Sequence, residues 1–485
     1  MTALGPLVVA LGWYIPSAIG EFTATGKFPL TLALLALPIL VLLALRPVLA
    51  GIVILVFAFV NPSLIPPLTE LGELSLRYVD VAFGILICVV CGRLAVQRGK
   101  KGAAEVRTLF APLLPFLLYV GASLAVVRIT VPDFFTASLA SYLRLIYTAT
   151  FAFWLYLALS ERRDMTMFHR AIIVLSVIAV VIGGWQAWTG IVSGPVGSFG
   201  ERFGGLMGVG TLGLISGLLV VYALLKRDVP CHPVWWIATL VLGLIGLFLA
   251  KSASSILATA GTSSVYVVAM KSRRAQGTHF LRWLAIGGGM AMIAAVVIWT
   301  LRPGDVVNLM DESSGSFAHR LMIADAGLRI FRDHPLIGVG WQASATEAVV
   351  GTPTLNAALM QSFKNLPTRY FFLEKPTSLH NMYIQLLAEL GIIGFALFVR
   401  GGVRVGHAVK ATLRAIPAES PDKMWARFYA LGLVFLLIWW NTNPLYGGQT
   451  ESLLAFTFIG ALAAMAQGEK RSLQHETTGK DGGMR

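Results

Sequence analysis

Runs of apolar residues about 18 to 22 long, as in PVWWIATLVLGLIGLFLA at 233 to 250, recur along nearly the whole chain, each able to cross a hydrocarbon core of about 30 Å as a helix. Lipid offers unpaired backbone groups no partner, so only helices and closed barrels can cross it. These runs lack the short apolar and polar alternation of barrel strands. An all-α, polytopic membrane helix bundle follows. The composition agrees: the 485 residues are 56% hydrophobic and only 13% charged, with a mean hydropathy of +0.75, well above that of soluble globular domains.

The runs predict fourteen spans, at roughly 5 to 20, 28 to 45, 48 to 66, 78 to 97, 109 to 127, 141 to 160, 171 to 190, 204 to 226, 233 to 250, 252 to 270, 282 to 301, 379 to 400, 426 to 441 and 449 to 467. A net charge of +14 raises the question of a nucleic-acid partner, and the placement of the cations answers it. With the N-terminus inside, the inner segments collect Arg46, Arg98, Lys100, Lys101, Arg107, Arg162, Arg163, Arg170, Lys226 and Arg227, and further on Lys271, Arg273, Arg274, Arg282, Arg404, Lys410, Arg414 and Lys423. Short outer segments hold isolated cations such as Lys27, Arg77, Arg128, Arg144, Arg202 and Lys251. This is the positive-inside pattern, so the basic balance reports topology and not nucleic acid. Both termini are expected in the cytoplasm.

Cys88, Cys91 and Cys231 form neither a disulfide framework nor a metal set, and no metal ligands are expected. The first apolar stretch lacks a basic n-region and a clear cleavage site, which predicts a retained span. The expected organisation is N-terminal membrane helices at 1–301, an outer loop at 302–378, C-terminal membrane helices at 379–467 and a tail at 468–485. The stretch 401 to 425 reads as a solvated basic loop and the tail as a flexible end.

The outer loop is long enough to be functional. Within it SFAHRLMIADAGLRIFRDHP carries Leu321, Ala324, Leu328 and Phe331 at helical spacing before Pro335, which predicts an amphipathic helix near the surface. HPLIGVGW follows, where Gly338 and Gly340 predict a tight turn that can bring backbone close to a ligand.

The chemistry-bearing residues surround the next span, TSLHNMYIQLLAELGIIG at 377 to 394. Asn381, Gln385 and Glu389 are four apart and share one helical stripe. Glu389 is either a structural hydrogen-bonding group joining helices or a functional one, because an ionisable residue at that depth needs a partner. Gly391 and Gly394 favour close helix packing. His380, at the mouth of the span, is either a polar cap or a general base able to accept a hydroxyl proton near neutral pH. Arg202 in GSFGERFGG and Arg320 at the start of the amphipathic helix carry guanidinium forks that match phosphate oxygens. Arg329 can pair with Asp325, and Arg332 with lipid head groups. Lys251 adds a cation or anchors its span.

RLMIADAGLRIFRDHPLIGVGW followed by SLHNMYIQLLAELGIIGFALF strongly resembles the shared core of the bacterial O-antigen ligase and O-antigen polymerase superfamily, over roughly residues 310 to 400. The resemblance implies a glycosyltransferase class C-like enzyme of the bacterial inner membrane, with about twelve spans and a large periplasmic loop between late helices. It implies a polyprenyl-diphosphate-linked oligosaccharide as donor, a glycan or lipid A core as acceptor, and no cofactor. On matching positions His380 would be the base and Arg320 and Arg202 the diphosphate cations, with Lys251, Asn381 and Glu389 as possible secondary residues. The chain departs from the family at Lys251, Ser252 and Ala253, where members often carry a Ser-Arg pair. A flippase or transporter, with Glu389 and Asp80 on its path, is the competing class; it calls for charges in many spans and for small loops.

Overall fold

The computed structural model describes residues 46–59, 69–71, 74–76, 80, 83–84, 111–159, 162–190, 203–204, 208–229, 232–270, 315–364, 366, 368, 371–372, 378–445 and 450–481. The expected spans at 5 to 20, 28 to 45 and 282 to 301, and most of 78 to 97, lie outside them.

In chain order the helices are α1 Pro47–Phe59, α2 Leu114–Thr130, α3 Phe135–Ala158, α4 Arg162–Thr189, α5 Val209–Arg227, α6 Pro233–Ala250 and α7 Ala253–Met270. They continue with α8 Gly315–Asp333, α9 Glu347–Val350, α10 Pro353–Ser362, α11 Met382–Ala415, α12 Pro421–Trp439 and α13 Thr450–Asp481. Among the described residues, six of these (α4, α5, α6, α11, α12 and α13) contain stretches long and apolar enough to cross a membrane, and α2 and α7 are shorter apolar helices. One short ribbon departs from the all-α expectation: β1 Thr69–Leu71 pairs antiparallel with β2 Leu74–Leu76, with Leu71 opposite Leu74.

Small residues let the central helices approach. Gly243 of α6 sits against Val220 and the Ser216 backbone of α5, and Gly246 against the Ser216 side chain. On the other flank Gly213 and Gly217 of α5 face Ser255 and Thr259 of α7. Where lipid removes the hydrophobic drive between helices, such close packing holds them together. The Ser-rich stretch at 252 to 270 is therefore a genuine helix, whose Ser255 and Thr259 side chains pack against the α5 glycines while their hydroxyls bond back within the stretch. Ser254, Ser255, Thr259 and Thr262 are all buried.

The bundle has two distinguishable ends. Gly210 of α5 faces Trp439, Gly213 faces Ser252, Asn381 before α11 bonds Asn441 after α12, and Trp341 bonds Ser138 and Ser141 early in α3. Lys251, His380 and the segment before α11 thus share one end. At the other, His169 stacks on Trp425 with ring centroids 4.1 Å apart, Tyr266 donates to Asp228, and Lys423 caps the carbonyls of Leu413 and Ile416. The described cations assigned to inner segments, among them Arg163, Lys226, Arg404, Lys410 and Arg414, cluster toward this second end.

Two expectations need correction. The stretch from 401 to 425 is not a solvated loop, because α11 runs on to Ala415 and only residues 416 to 420 connect it to α12. Arg404, Lys410 and Arg414 are good helix formers, and from residue 401 on nothing breaks the helix until Ile416 turns extended ahead of Pro417. Likewise α13 continues through the tail to Asp481.

Candidate active site

The segment expected outside the membrane, as far as it is described from residue 315 on, is a folded cap. Leu321, Met322, Ile323, Ala326 and Ile330 of α8 share a buried cluster with Val350, Leu359, Phe363, Phe372 and Leu379. This is wider than the predicted stripe: Leu321 and Ala324 are buried, whereas Leu328 and Phe331 keep partial exposure. Asn356 of α10 ties the cap, donating to the carbonyls of Val350 (2.9 Å) and Thr352 (3.0 Å) and accepting from the N–H of Phe372 (3.1 Å).

α8 lies against the start of α11 because Gly327 leaves no side chain between it and Ile384 or Leu379. Arg320 is seven residues earlier, nearly two full turns, so it shares the Gly327 stripe. That register brings it toward His380. His380 keeps an exposed edge. Burial of the rest of its surroundings, followed by the positive influence of Arg320 and then His319, lowers its imidazole from the ordinary 6.5 to about 4. His319, which composition and spacing did not single out, is thus a third member of the cluster. Its signal was only adjacency to Arg320.

The HPLIGVGW segment does something the sequence reading missed. α11 is broken at Gly391 (φ 63°, ψ −169°), a conformation open essentially to glycine alone. The break strands backbone groups, and the outer segment supplies their partners. Val339 N–H donates to the Ala388 carbonyl (3.0 Å) and Gly340 N–H to that of Glu389 (2.8 Å), while Ile392 N–H donates to Pro335 O (2.9 Å) and Ile393 N–H to Leu336 O (3.4 Å). Irregular backbone at such depth is tolerated only when protein surrounds it, as here. Gly338 and Gly340 have positive φ, and a Cβ on Gly338 or Gly391 would collide with the facing backbone. The glycines therefore serve a helix splice; the expectation of a ligand-facing turn is corrected, as is that of Gly391 as simple packing.

Glu389 pins this splice. Its buried carboxylate accepts from the Gln342 N–H (2.9 Å), the Ser344 hydroxyl and both oxygens' contacts with Gln385 Nε2 (3.2 Å each). Gln385 in turn accepts from Leu445 N–H (2.8 Å) and donates to Leu445 O (3.1 Å), joining the segment after α12 to the same network. Asn381 is the N-cap of α11, accepting from Tyr383 N–H (3.0 Å) and Ile384 N–H (3.1 Å), and its amide donates to Asn441 O (2.7 Å). Both residues are engaged by protein.

Arg202 lies outside the described residues. Its neighbour Phe203 donates its N–H to Leu249 O (3.1 Å), beside Lys251, which closes α6 in a left-handed conformation (φ 45°). Arg329 makes the expected ion pair with Asp325 (2.8 Å) and also bonds Ser362 (2.8 Å). Arg332 is exposed. Arg144 is not an isolated outer cation: it lies within α3 and pairs through two nitrogens with Asp80 (3.1 and 2.9 Å), to which Tyr147 also donates. The two charges are satisfied by each other, which removes the main support for Asp80 on a transport path.

Residues 238–399 match the family model described as O-Antigen ligase, a span that holds Lys251, Arg320, His380 and Glu389. No curated protein matches the chain.

Proposed function

We propose that this multi-pass membrane protein, which carries an O-antigen ligase domain over residues 238–399, is an inverting, metal-independent glycosyltransferase that uses an undecaprenyl-diphosphate-linked glycan at the periplasmic face of the bacterial inner membrane. The observation that carries the reading is the seating of α8 at Gly327 against Leu379 and Ile384, which brings Arg320 and His319 near enough to His380 to act on its charge, inside the matched domain.

A polyprenyl diphosphate is already an activated leaving group, so the main demand on the protein is to hold and neutralise its charge. Arg320, with Arg202 and Lys251 as further candidates, meets that demand by charge-assisted hydrogen bonds. An acceptor hydroxyl attacks C1 of the donor sugar from the face opposite the diphosphate. The new C1–O bond forms as the bond to the phosphate oxygen breaks, polyprenyl diphosphate departs with that electron pair, and His380 takes the hydroxyl proton. Lowering of the His380 imidazole keeps it neutral, the form that accepts a proton, throughout the neutral range.

The reaction we assign is polymerisation of repeat units of an exported polysaccharide. The printed description of the matched family favours a second reading, transfer of the glycan to lipid A core. Loss of the gene separates them, since single repeats left on lipid indicate a polymerase and long unattached chains a ligase. For the reaction itself, purified protein supplied with lipid-linked glycan and acceptor should release polyprenyl diphosphate, and His380→Ala should reduce release at least about a hundredfold. Arg320→Lys keeps the charge but loses the fork and should raise the donor KM. Normal release by His380→Ala would overturn the assignment.

A further inference from the structure

The splice between α11 and the outer segment joins the two elements that carry the site. Arg320 is on α8, which runs directly into the 334 to 341 segment, and His380 immediately precedes α11. Gly327 seats α8 against Ile384, and eight residues further along each chain Pro335 and Leu336 receive the N–H groups of Ile392 and Ile393. The two segments are therefore fastened side by side, running in the same direction, at two levels. The lower level contains the one carboxylate of the network, whose partners come from the outer segment (Gln342, Ser344) and, through Gln385, from Leu445 after α12.

We infer that Glu389 is a positioning residue: it pins the 334 to 345 segment into the break of α11 and so fixes the placement of Arg320 relative to His380. The inference rests on the proposed glycosyl transfer for its kinetic consequence, but its structural content stands apart from that reaction. Four backbone hydrogen bonds and three glycines define the splice up to Gly340, and Trp341 is held on the α3 side by Ser138 and Ser141. Beyond it, where the chain leaves for α9, Glu389 accepts from both Gln342 and Ser344, and the Gln342 side chain and Gln385 connect the same point to Leu445 at the α12 end. Displacement of about 1 Å at a reacting group can cost about a hundredfold in rate. A group far from both sugar and diphosphate can thus govern turnover.

The test uses the full chain with Cys88, Cys91 and Cys231 replaced by serine and nitroxide labels at Arg332→Cys and Val399→Cys, one on α8 and one on α11 beyond the break. The label distance should be narrow in the parent and in Glu389→Gln, whose amide oxygen still accepts from Gln342. It should broaden in Glu389→Leu and, to a smaller degree, in Ser344→Ala, which removes one bond and spares the fold. Release of polyprenyl diphosphate should follow: kcat falls about ten- to a hundredfold in Glu389→Leu and a few-fold in Ser344→Ala, donor KM changes by less than about threefold, and Glu389→Gln recovers most of the rate. Distances as narrow in Glu389→Leu as in the parent would overturn the inference; should that variant fail to fold, an unbroadened Ser344→Ala with full rate would do the same. Full activity of His380→Ala would instead overturn the reaction, and the distance measurement would still decide the role of Glu389.

Discussion

His380 carries the most specific pH prediction. Its imidazole is lowered to about 4 in the folded chain, whereas an unfolded chain takes up that proton near 6.5. Between those values the unfolded state binds more protons, so stability from this group rises with pH through the window and is lost as the pH falls below about 6.5. Activity that needs the neutral ring should follow the same direction. We expect kcat/KM to rise to a plateau with a midpoint below 6.5, solvent at the exposed edge screening part of the shift, and Arg320→Gln to move the midpoint upward by removing a neighbouring cation. A midpoint above 7 would contradict this environment. A second residue-scale prediction concerns Asp80 and Arg144, both mostly buried. Arg144→Leu alone leaves an uncompensated carboxylate and should cost about 3–5 kcal/mol, while the double replacement with Asp80→Leu should recover much of that loss. Thermal unfolding of the two purified variants compares them, and equal losses would mean the pair is not coupled.

At the scale of elements, what could be read in advance depended on whether the signal was local. Helix α6 begins and ends where its apolar run does, because Pro233 suits the first turn and Lys251 closes the last. Helix α11 ran past its apolar run because charged residues that resemble a loop are also good helix formers. The splice was illegible for a different reason. Gly338, Gly340 and Gly391 each look like ordinary small residues, and only their meeting in space, some fifty positions apart in the chain, gives them a task. The same holds for Arg144, whose partner Asp80 sits on another segment. The backbone at Gly391 supplies a prediction: Gly391→Ala must leave a conformation that costs a side-chain-bearing residue about 1–3 kcal/mol and must also displace the Leu336 carbonyl. A clear fall in melting temperature is expected, larger than that for Gly402→Ala, where nothing lies near the added Cβ. Equal melting temperatures would mean that α11 straightens without cost.

Across the whole molecule, the separation of charge and chemistry between two ends organises the account. Arg320, His380 and Lys251 lie at one end and the basic stretch from Arg404 to Arg414 at the other. In a background without native cysteines, Lys251→Cys should react with a membrane-impermeant thiol reagent added outside spheroplasts. Lys410→Cys should react only after permeabilisation, and equal labelling of both would contradict the assigned orientation. That several helices are long and apolar enough to cross a membrane was legible, since apolar run lengths are summed over many residues and tolerate local errors. The cap was not: its cluster around Leu359, Phe363 and Phe372 depends on contacts between short helices that no periodicity announces. The most direct measurement is photo-cross-linking with a polyprenyl diphosphate that carries a reactive group beside the phosphates. Label should appear in the peptides holding His319 and Arg320 and holding His380, and unlabelled donor should compete it away. Label confined to the Arg404–Arg414 end, or label that donor does not displace, would contradict this.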